Sequence, residues 1–256
     1  MGEPILATSG VTKRFDGLVA VDDITYEVAE GETAGIIGPN GAGKSTFFNL
    51  LTGYFKPSQG QVYFRGRDVT VLPSYQRVML GIARTFQLVS VFDSMTVMEN
   101  MMLARVRQGP DYDSKLRFFF KNVHYKGLER ECGEALETLG IAGKADTLTA
   151  DMGYGEKREL EIAIALSLNP KILLLDEPFA GLSLVDIAHI SEVIKKIKGK
   201  FTIVIIEHKI SKLMDLVESL CVINEGALVC NGNPQEVICD AKVKACYWGK
   251  EDMVCY

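Results

Sequence analysis

The sequence predicts an α/β fold, with a parallel sheet and flanking helices, an antiparallel β subdomain and an inserted helical subdomain. Three observations lead to this prediction. A buried strand near the N-terminus runs through a glycine-rich loop into a helix, two buried-strand runs in the C-terminal half alternate with a helical pattern, and a long middle region has a helical texture. Strands that alternate with helices in this way are typical of a parallel sheet covered by helices.

The first buried strand is Thr33 to Ile37, which follows the turn signal Ala29 to Glu32 and ends at the glycine-rich loop. Lys171 to Asp176 and Phe201 to Ile206 are short apolar runs, as expected of buried strands. Apolar residues at helical spacing between 187 and 197 predict a helix between these two strands. The order of elements is the one that a parallel α/β sheet requires.

Capping signals mark the ends of the predicted helices. Ser183 and Asp186 have the spacing of a capping box, with aspartate in place of the usual glutamate or glutamine, and Gly199 suits the C-cap of the same helix. Thr96 to Glu99 is a second capping box, which opens a methionine-rich helix. We therefore expect the region from residue 88 to residue 168 to be a helical subdomain inserted into the core.

Turn-bounded, β-rich segments flank the core. Gln61 to Phe64 and Leu220 to Val229 have this character, which fits antiparallel strands around the parallel sheet. If Glu225-Gly226 forms a two-residue hairpin turn, Cys221 and Cys230 face each other across it.

The expected organisation is a single domain in two parts, with residues 1–87 and 169–256 as the core with its antiparallel β subdomain and residues 88–168 as the helical subdomain. Of the 256 residues, 47% are hydrophobic, which is enough for one large core or two closely joined lobes. Apolar runs fall far short of the roughly 20 residues that cross a bilayer. A secretion signal is absent, so we expect a cytosolic protein that reaches a membrane only through a partner. A net charge of −5 on segments of mixed sign gives no electrostatic footprint for nucleic acid, which we do not expect as a partner.

Residues 38 to 45 match the phosphate-binding loop pattern GxxxxGK[ST] and lie between a strand and a helix, as that loop requires. The glycines let backbone N–H groups point inward at polyphosphate oxygens, and the helix adds the positive end of its dipole. Lys44 is predicted to reach the β- and γ-phosphates and Ser45 to bind Mg²⁺, so the core is expected to be that of a P-loop NTPase. The predicted nucleotide contacts are Gly38, Pro39, Asn40, Gly41, Ala42, Gly43, Lys44, Ser45 and Thr46.

A phosphate-binding loop needs a second acid that organises the metal, at the end of a neighbouring buried strand. Lys171 to Glu177 (KILLLDE) supplies Asp176 for Mg²⁺ and places Glu177 as the base that polarises water. Alone, an Asp-Glu pair after an apolar run is more often a helix start or a solvated turn. Together with the phosphate-binding loop, the pair predicts a site for ATP and Mg²⁺.

Further motifs give the chain a family resemblance over nearly its whole length. They are Arg84 to Gln87 (RTFQ), Met95 to Asn100 (MTVMEN), Tyr154 to Arg158 (YGEKR) with Leu160 to Ala163 (LEIA), Ile206 to His208 (IEH) and Cys246 to Gly249 (CYWG). With these motifs the chain resembles ABC-type ATPases, and within that family the ATP-binding subunits of branched-chain amino-acid importers. Several of the motifs are generic to ABC ATPases, but their combination is narrower.

The resemblance implies roles for three more residues. Gln87 is the glutamine that touches Mg²⁺ or the attacking water and relays its state to the helical lobe, and His208 is the switch histidine that contacts the γ-phosphate. Phe15 lies where the family stacks an aromatic side chain on adenine. Without the family, the three are interpreted as a solvated glutamine, a strand-end histidine and a core phenylalanine. The expected catalytic residues are Lys44, Gln87, Glu177 and His208, and the expected metal ligands are Ser45, Gln87 and Asp176.

The resemblance also places Met152 to Glu156 at the signature motif. In the consensus LSGGQ, a serine hydroxyl and glycine amides at a helix N-terminus grip the γ-phosphate bound by the opposite subunit, which implies a dimer with composite sites. Here Gly153 replaces the serine, Tyr154 the middle glycine and Glu156 the glutamine, and together with Gly155 these residues are the expected contacts in trans. Backbone N–H groups alone must therefore make the γ-phosphate contacts that a serine hydroxyl usually shares with them. Glu156 also adds negative charge near a polyphosphate.

A second departure from the family lies at Ala180 to Ser183, where the D-loop usually ends in aspartate. Ser183 can still cap the next helix. We expect a functional but weaker contact in trans, with binding without efficient turnover as the alternative.

The implied function is the coupling of MgATP-driven dimer closure to solute transport, with branched-chain amino acids as the expected cargo. The expected partners are transmembrane permease subunits, a second ATPase subunit that is identical or different, and, indirectly, an external solute-binding protein. The expected location is peripheral, at the cytoplasmic face of the membrane. The alternatives are an importer of urea or amides, the ATPase of a lipopolysaccharide exporter, and, from another class, a low-turnover regulatory or non-transport ABC ATPase.

One set of side chains has two interpretations. Met95, Met98, Met101 and Met102 either line a groove for a permease helix, since methionine suits an adaptable socket, or form an ordinary helix core.

Overall fold

Two sheets and the helices around them make up the described part of the chain, residues 3–86, 90–106, 126–208 and 210–248 of a computed structural model. The strands are β1 Leu6–Phe15, β2 Leu18–Val28, β3 Thr33–Ile37, β4 Gln59–Phe64, β5 Arg67–Asp68, β6 Ile82–Arg84, β7 Ile172–Asp176, β8 Thr202–Ile206, β9 Ser219–Asn224 and β10 Ala227–Gly232. The helices are α1 Lys44–Leu51, α2 Ser74–Leu80, α3 Val97–Val106, α4 Lys126–Leu139, α5 Tyr154–Ser167, α6 Leu184–Ile197, α7 Ile210–Leu213, α8 Pro234–Cys239 and α9 Ala241–Trp248. In these described residues, no helix is both long and apolar enough to span a bilayer.

The larger sheet has the strand order β10-β9-β3-β8-β7-β6 and confirms the predicted α/β class. Its neighbours from β9 to β6 are parallel, and only β10 runs antiparallel, beside β9. Every residue of β3, β7 and β8 is buried, as the continuous apolar runs predict for strands covered on both faces. Ile206 of β8 lies opposite both Ile36 and Asp176, so the carboxyl ends of these strands are level.

The smaller sheet has the order β2-β1-β4-β5 and is antiparallel throughout, as predicted for Gln61 to Phe64. Its apolar face and helix α1 pack against one side of the larger sheet, where Leu174 and Val204 join Phe47 and Phe48 in one core. Successive strand residues point to opposite faces, so this core takes alternate residues of β7 and β8.

The remaining residues of β7 and β8 face a second core. Leu173 and Ile203 pack there with residues of helices α3, α4 and α5, including Met101, Leu136 and Leu160. The middle of the chain is therefore helical, as predicted, in its described residues. Residues 107–125, which contain most of the basic and aromatic segment KLRFFFKNVHYK, lie outside them.

Both predicted capping boxes are confirmed by their hydrogen bonds. Ser183 Oγ accepts from the Asp186 N–H at 3.2 Å, and Asp186 Oδ2 accepts from the Ser183 hydroxyl and N–H. Thr96 and Glu99 make the same reciprocal contacts ahead of α3. Gly199 has a positive φ of 76° but lies two residues beyond the end of α6, whose C-cap is Lys198.

The prediction for Leu220 to Val229 is confirmed in part, because β9 and β10 pair antiparallel, but it is wrong in two respects. The first half of this segment belongs to β9, which pairs in parallel with β3, so it extends the parallel core instead of flanking it. The Glu225-Gly226 turn forms, with φ values of 49° and 81°, but a bulge between Leu228 and Cys230 shifts the register. Cys221 therefore lies opposite Asn231, and Cys230 opposite Val222.

Candidate functional site

The phosphate-binding loop joins β3 to α1 and has a shape that only glycine permits at two positions. A Cβ on Gly38 would lie 2.1 Å from the Ile223 carbonyl oxygen. Gly43 has φ 98°, and a Cβ there would lie 2.3 Å from the Ala20 carbonyl oxygen. The loop is also fastened to the β9–β10 turn, because the Gly226 N–H donates to the Ala42 carbonyl at 2.9 Å. Ser45 is exposed and Thr46 half-buried in the first turn of α1, directly after the loop.

Lys44 starts helix α1 and is almost fully buried at the centre of this loop. Its Nζ donates to the carbonyl oxygens of Gly38 at 2.7 Å and Pro39 at 2.8 Å. Burial lowers the pKa of Lys44, and the nearby carboxylates of Glu177 and Asp176 act in the opposite direction. A buried ammonium held by neutral carbonyls is an incompletely compensated charge, which is suited to receiving an anion.

Asp176 ends β7 and is buried, with its side chain 5% exposed. Arg84 at the end of β6 donates from Nη2 to Asp176 Oδ2 at 2.6 Å. In the described residues, Asp176 Oδ1 has no hydrogen-bond partner. One oxygen of a buried carboxylate is therefore left to accept a ligand, which is the arrangement a cation site requires.

Glu177 and His208 meet at the same edge of the sheet. The level ends of β7 and β8 bring them together, and His208 Nε2 lies 2.7 Å from Glu177 Oε1. Glu177 has a positive φ of 48°, an uncommon backbone conformation for a non-glycine residue.

Glu207, a buried carboxylate for which the sequence predicted no role, holds together the segments that follow β7 and β8. Glu207 Oε1 accepts from the Phe179 N–H at 2.9 Å, and Glu207 Oε2 accepts from the His208 N–H at 2.8 Å. It thereby ties the segment after Glu177 to the segment that carries His208.

In the signature segment, a neighbouring lysine balances the negative charge of Glu156. Glu156 forms an ion pair with Lys144 and accepts from the Gly153 N–H at 2.8 Å. The Lys144 contact, followed by the Gly153 N–H, lowers the pKa of Glu156. The extra negative charge of Glu156 is therefore matched by a cation and also caps the first turn of α5.

The signature segment packs against the D-loop of the same chain. The Tyr154 ring lies beside Gly181, where an added Cβ would meet Tyr154 Cε1 at 3.2 Å. A Cβ on Gly155 would lie 2.5 Å from Asp186 Oδ1. The first turns of α5 and α6 are thus packed closely, and the absence of side chains at Gly155 and Gly181 permits this packing.

A buried ion pair on α5 forms hydrogen bonds with the backbone of Phe86, the residue before Gln87 in the sequence. Arg158 Nη1 donates to Glu161 Oε2 at 2.7 Å and to the Phe86 carbonyl at 2.7 Å. Glu161 in turn accepts from the backbone N–H groups of Phe86 and Ser90, and burial raises its pKa against these stabilising contacts. Gln87 itself lies outside the described residues, so its predicted roles stay predictions.

A groove of about 310 Å³ lies between the core and the helical region. Its described lining includes Tyr54, Val78, Arg84, Phe86, Glu161 and Leu168, and none of the four methionines. Met101 is fully buried, and Met98 and Met102 are partly buried against the core. For these three methionines the structure supports an ordinary helix core, whereas Met95 is half-buried and precedes α3.

Phe15 lies at the end of β1 and is 36% exposed, so the interpretation as a core phenylalanine is wrong. Its ring contacts Phe55 edge-on at 5.3 Å, and Lys13 Nζ lies 4.9 Å from the ring centroid. Stacking on adenine stays a prediction for this exposed ring.

Comparison with protein families places this geometry in a known class. The family model described as ABC transporter matches residues 21–180. The chain resembles a crystal structure of an ATP-binding cassette of an ABC transporter in its ADP conformation, with a TM-score of 0.86 and 30% identity over 97% of this chain and 100% of that one. It also resembles cbiO1 of Clostridium perfringens, part of the ABC transporter complex cbiONQ, with a TM-score of 0.81 and 27% identity over 94% and 93% of the two chains. The chain belongs to the ABC transporter family and is an ATP-binding cassette ATPase.

Named relatives narrow the resemblance within the family. The chain is 36% identical to the high-affinity branched-chain amino acid transport ATP-binding protein LivG of Salmonella typhimurium, over 98% of this chain and 100% of the relative. It is also 36% identical to the corresponding protein BraF of Pseudomonas aeruginosa, over 98% and 100%. A lipopolysaccharide export system ATP-binding protein, LptB of Haemophilus influenzae, is 30% identical over 96% and 98%. The similarity to the branched-chain group is therefore the stronger one, as the motifs predicted.

Proposed function

We propose that this chain is the ATPase subunit of an importer of branched-chain amino acids, working at the cytoplasmic face of the membrane. The observation that carries the proposal is the convergence of Lys44, Asp176, Glu177 and His208 at one edge of the parallel sheet. Full-length similarity at 36% identity to branched-chain transport ATPases supplies the cargo class.

ATP is proposed to bind with its phosphates inside the loop of residues 38–46. The buried Lys44 ammonium would exchange two neutral carbonyl contacts for phosphate oxygens, which are stronger acceptors. The N-terminus of α1 adds its dipole to the same anion. The exposed ring of Phe15 is the proposed support for adenine.

Mg²⁺ is the proposed metal, and the described residues fit it. Asp176 Oδ1 is a buried oxygen without a partner in the described part of the chain, and the Ser45 hydroxyl supplies a second hard oxygen donor from α1. Gln87 is retained as a further proposed ligand. When bound, the cation would neutralise charge that develops on the phosphoryl oxygens.

Hydrolysis is assigned to the Glu177–His208 pair. Glu177 would accept a hydrogen bond from the attacking water and draw away its proton. His208, 2.7 Å from Glu177, would orient that carboxylate and donate toward the γ-phosphate. Glu207 supports both groups through backbone N–H contacts on their two loops.

The working unit is proposed to be a dimer in which each nucleotide is covered by the partner's signature segment. Gly153, Tyr154, Gly155 and Glu156 are the proposed contacts in trans. Because Glu156 is paired with Lys144 and caps α5, the helix N-terminus keeps its character as an anion site. Residues 88–168 are proposed to move as a helical lobe that carries this segment.

The groove beside Phe86 and Glu161 is the proposed seat of the permease subunits. It lies where the core meets the helical lobe, and it is lined mainly by apolar side chains, which suits a protein partner. The solute-binding protein would act only through the permease.

An uptake assay in the native host tests this proposal. Replacing the chromosomal gene by a Lys44→Ala allele is expected to reduce uptake of radiolabelled leucine, isoleucine and valine to near background, while a Lys195→Ala allele leaves uptake at the parent level. Lys195 is the matched control because it is an exposed lysine near the end of α6 that pairs with Glu192 and contacts none of the proposed ATP-binding residues. Unchanged branched-chain uptake together with loss of urea uptake, or with defects in lipopolysaccharide export, would assign the subunit to one of the alternative systems.

A further inference from the structure

Arg84 has a position that the proposed mechanism does not use. It ends β6 and forms an ion pair with Asp176 in which the two side chains are only 12% and 5% exposed. The same side chain lines the groove proposed as the permease seat. A buried cation is thus in direct contact with the proposed metal carboxylate.

The guanidinium group is fixed from several directions. Nη1 donates to Oδ1 of Asn49, on α1, at 2.6 Å and to Oγ1 of Thr52, the C-cap of α1, at 3.3 Å. The rings of Phe48 and Phe86 each lie 5.5 Å from the guanidinium carbon. Arg84 cannot leave Asp176 for solvent without losing these contacts, so its charge is a permanent part of the site.

We propose that Arg84 is the resident counter-ion of Asp176 and makes binding of a divalent cation at this carboxylate dependent on nucleotide. The inference rests on the proposed role of Asp176 as metal ligand. Asp176 and Glu177 contribute two negative charges, and Arg84 and Lys44 contribute two positive charges, so these four groups sum to zero. Glu207, a further carboxylate at this edge in the described residues, adds one negative charge, but backbone N–H groups engage both of its oxygens. Asp176 and the three groups summed with it therefore offer a free divalent cation an open oxygen but no net charge until ATP phosphates bring negative charge.

Arg84 has two opposing effects on the affinity of Asp176 for a cation. The ion pair fixes the carboxylate with Oδ1 available, which favours binding, while its positive charge repels a cation on the adjacent oxygen. Restricting one side-chain rotation changes affinity by a small factor, whereas a like charge across a single buried carboxylate acts at short range and with little screening. We therefore infer that repulsion dominates.

Binding of Mn²⁺ to the nucleotide-free full chain, followed by electron paramagnetic resonance, tests this inference. Arg84→Met is expected to bind Mn²⁺ at least about tenfold more tightly than the parent, because it removes the repelling charge and leaves Asp176 uncompensated. Arg84→Lys keeps the charge and is expected to behave like the parent. The gain is expected to vanish in the double variant Arg84→Met/Asp176→Asn.

Two further variants complete the test. Arg65→Met removes an exposed arginine that pairs with Glu30, and parent-like Mn²⁺ affinity is expected. Asn49→Ala removes one anchor of Arg84 but keeps both charges of the ion pair, and a smaller gain in the same direction is expected. The second variant decides the question if Arg84→Met does not fold.

The inference would be overturned if Arg84→Met bound Mn²⁺ no more tightly than the parent. If Arg84→Met is unfolded, the same result for Asn49→Ala would overturn it. Binding of a fluorescent ATP analogue with and without MgCl₂ is measured on the same parent preparation. A parent that fails to bind the analogue would contradict the proposed function, whereas a parent that binds it while the variants show no gain in Mn²⁺ affinity contradicts only the role of Arg84.

Discussion

At the residue scale, the described residues contain two histidine–glutamate contacts of similar length but different surroundings. His208 lies 2.7 Å from Glu177 at the edge of the parallel sheet, and His189 of α6 lies 3.0 Å from Glu159 of α5. Only the first pair neighbours Lys44 and Asp176. The chemistry therefore follows from position, and His189 provides an internal control.

Replacing His208 by alanine is expected to lower kcat by about 100-fold, because Glu177 loses its orienting partner and the γ-phosphate loses a donor. The His189→Ala variant is expected to keep kcat within about twofold of the parent, since His189 contacts Glu159 of α5 and none of the residues proposed to bind ATP or activate water. Steady-state phosphate release at saturating MgATP measures both. Equal losses in the two variants would show that His208 has no special role.

The roles of the phosphate-binding loop and of Asp176 and Glu177 could be predicted from the sequence, because these motifs depend on local spacing. A phosphate-binding loop and an Asp-Glu pair after a buried strand define their own geometry once the parallel sheet aligns the strand ends. Arg84, Glu207 and Arg158 lie in the quoted motifs, but their contacts with Asp176, Phe179 and Phe86 were not predicted because these partners are distant in sequence. Arg84 is separated from Asp176 by 92 positions and Arg158 from Phe86 by 72. A buried charge has no local signature, and only its partner distinguishes it from a solvated one.

At the element scale, the first turns of α5 and α6 carry the departures from the family motif. Gly153, at the N-cap of α5, has φ −66° and ψ 162°, a conformation open to any residue. An added Cβ there meets nothing closer than Glu156 Oε2 at 3.8 Å, whereas one on Gly155 would lie 2.5 Å from Asp186 Oδ1. The serine of the consensus would therefore fit, but the glycine at 155 is required by the contact with α6.

Gly153→Ser is expected to raise the free energy of unfolding by a few tenths of a kcal/mol, because its hydroxyl adds an N-cap acceptor. Gly155→Ala is expected to lower it by about 1 kcal/mol, because the new methyl displaces Asp186 from the Ser183 capping box. Urea unfolding of the nucleotide-free chain measures both changes. A Gly155→Ala variant as stable as the parent would show that the contact between the two helices is dispensable.

The bounds of the buried strands could be predicted from apolar runs, but the pairing and register of β9 and β10 could not. Apolar runs predicted β3, β7 and β8 within one residue of their observed bounds. The register of the β9–β10 hairpin was not predictable, because the bulge after Leu228 depends on packing of β10 and leaves no pattern in the residues. Likewise, the parallel pairing of β9 with β3 is set by the tertiary fold, not by the turn-bounded composition that suggested an antiparallel strand.

At the scale of the whole molecule, one chain holds both halves of the proposed composite site, but on different elements. The loop of residues 38–46, Asp176, Glu177 and His208 gather at the end of the parallel sheet. The signature turn lies at the start of α5, beside the start of α6, and its Tyr154 side chain is exposed. On this division rests our proposal that the activity requires two copies, with the second closing over the nucleotide of the first.

The central claim is a dimer that closes on MgATP and reopens on hydrolysis, and Glu177→Gln tests it most directly. The change removes the base and keeps the size of the side chain, so closure is expected without turnover. Light scattering of the Glu177→Gln chain with MgATP should show a doubling of molar mass, which should be absent with MgADP and in the Lys44→Ala/Glu177→Gln double variant. A Glu177→Gln chain that remains a monomer in saturating MgATP, or that hydrolyses ATP at the parent rate, would contradict the account.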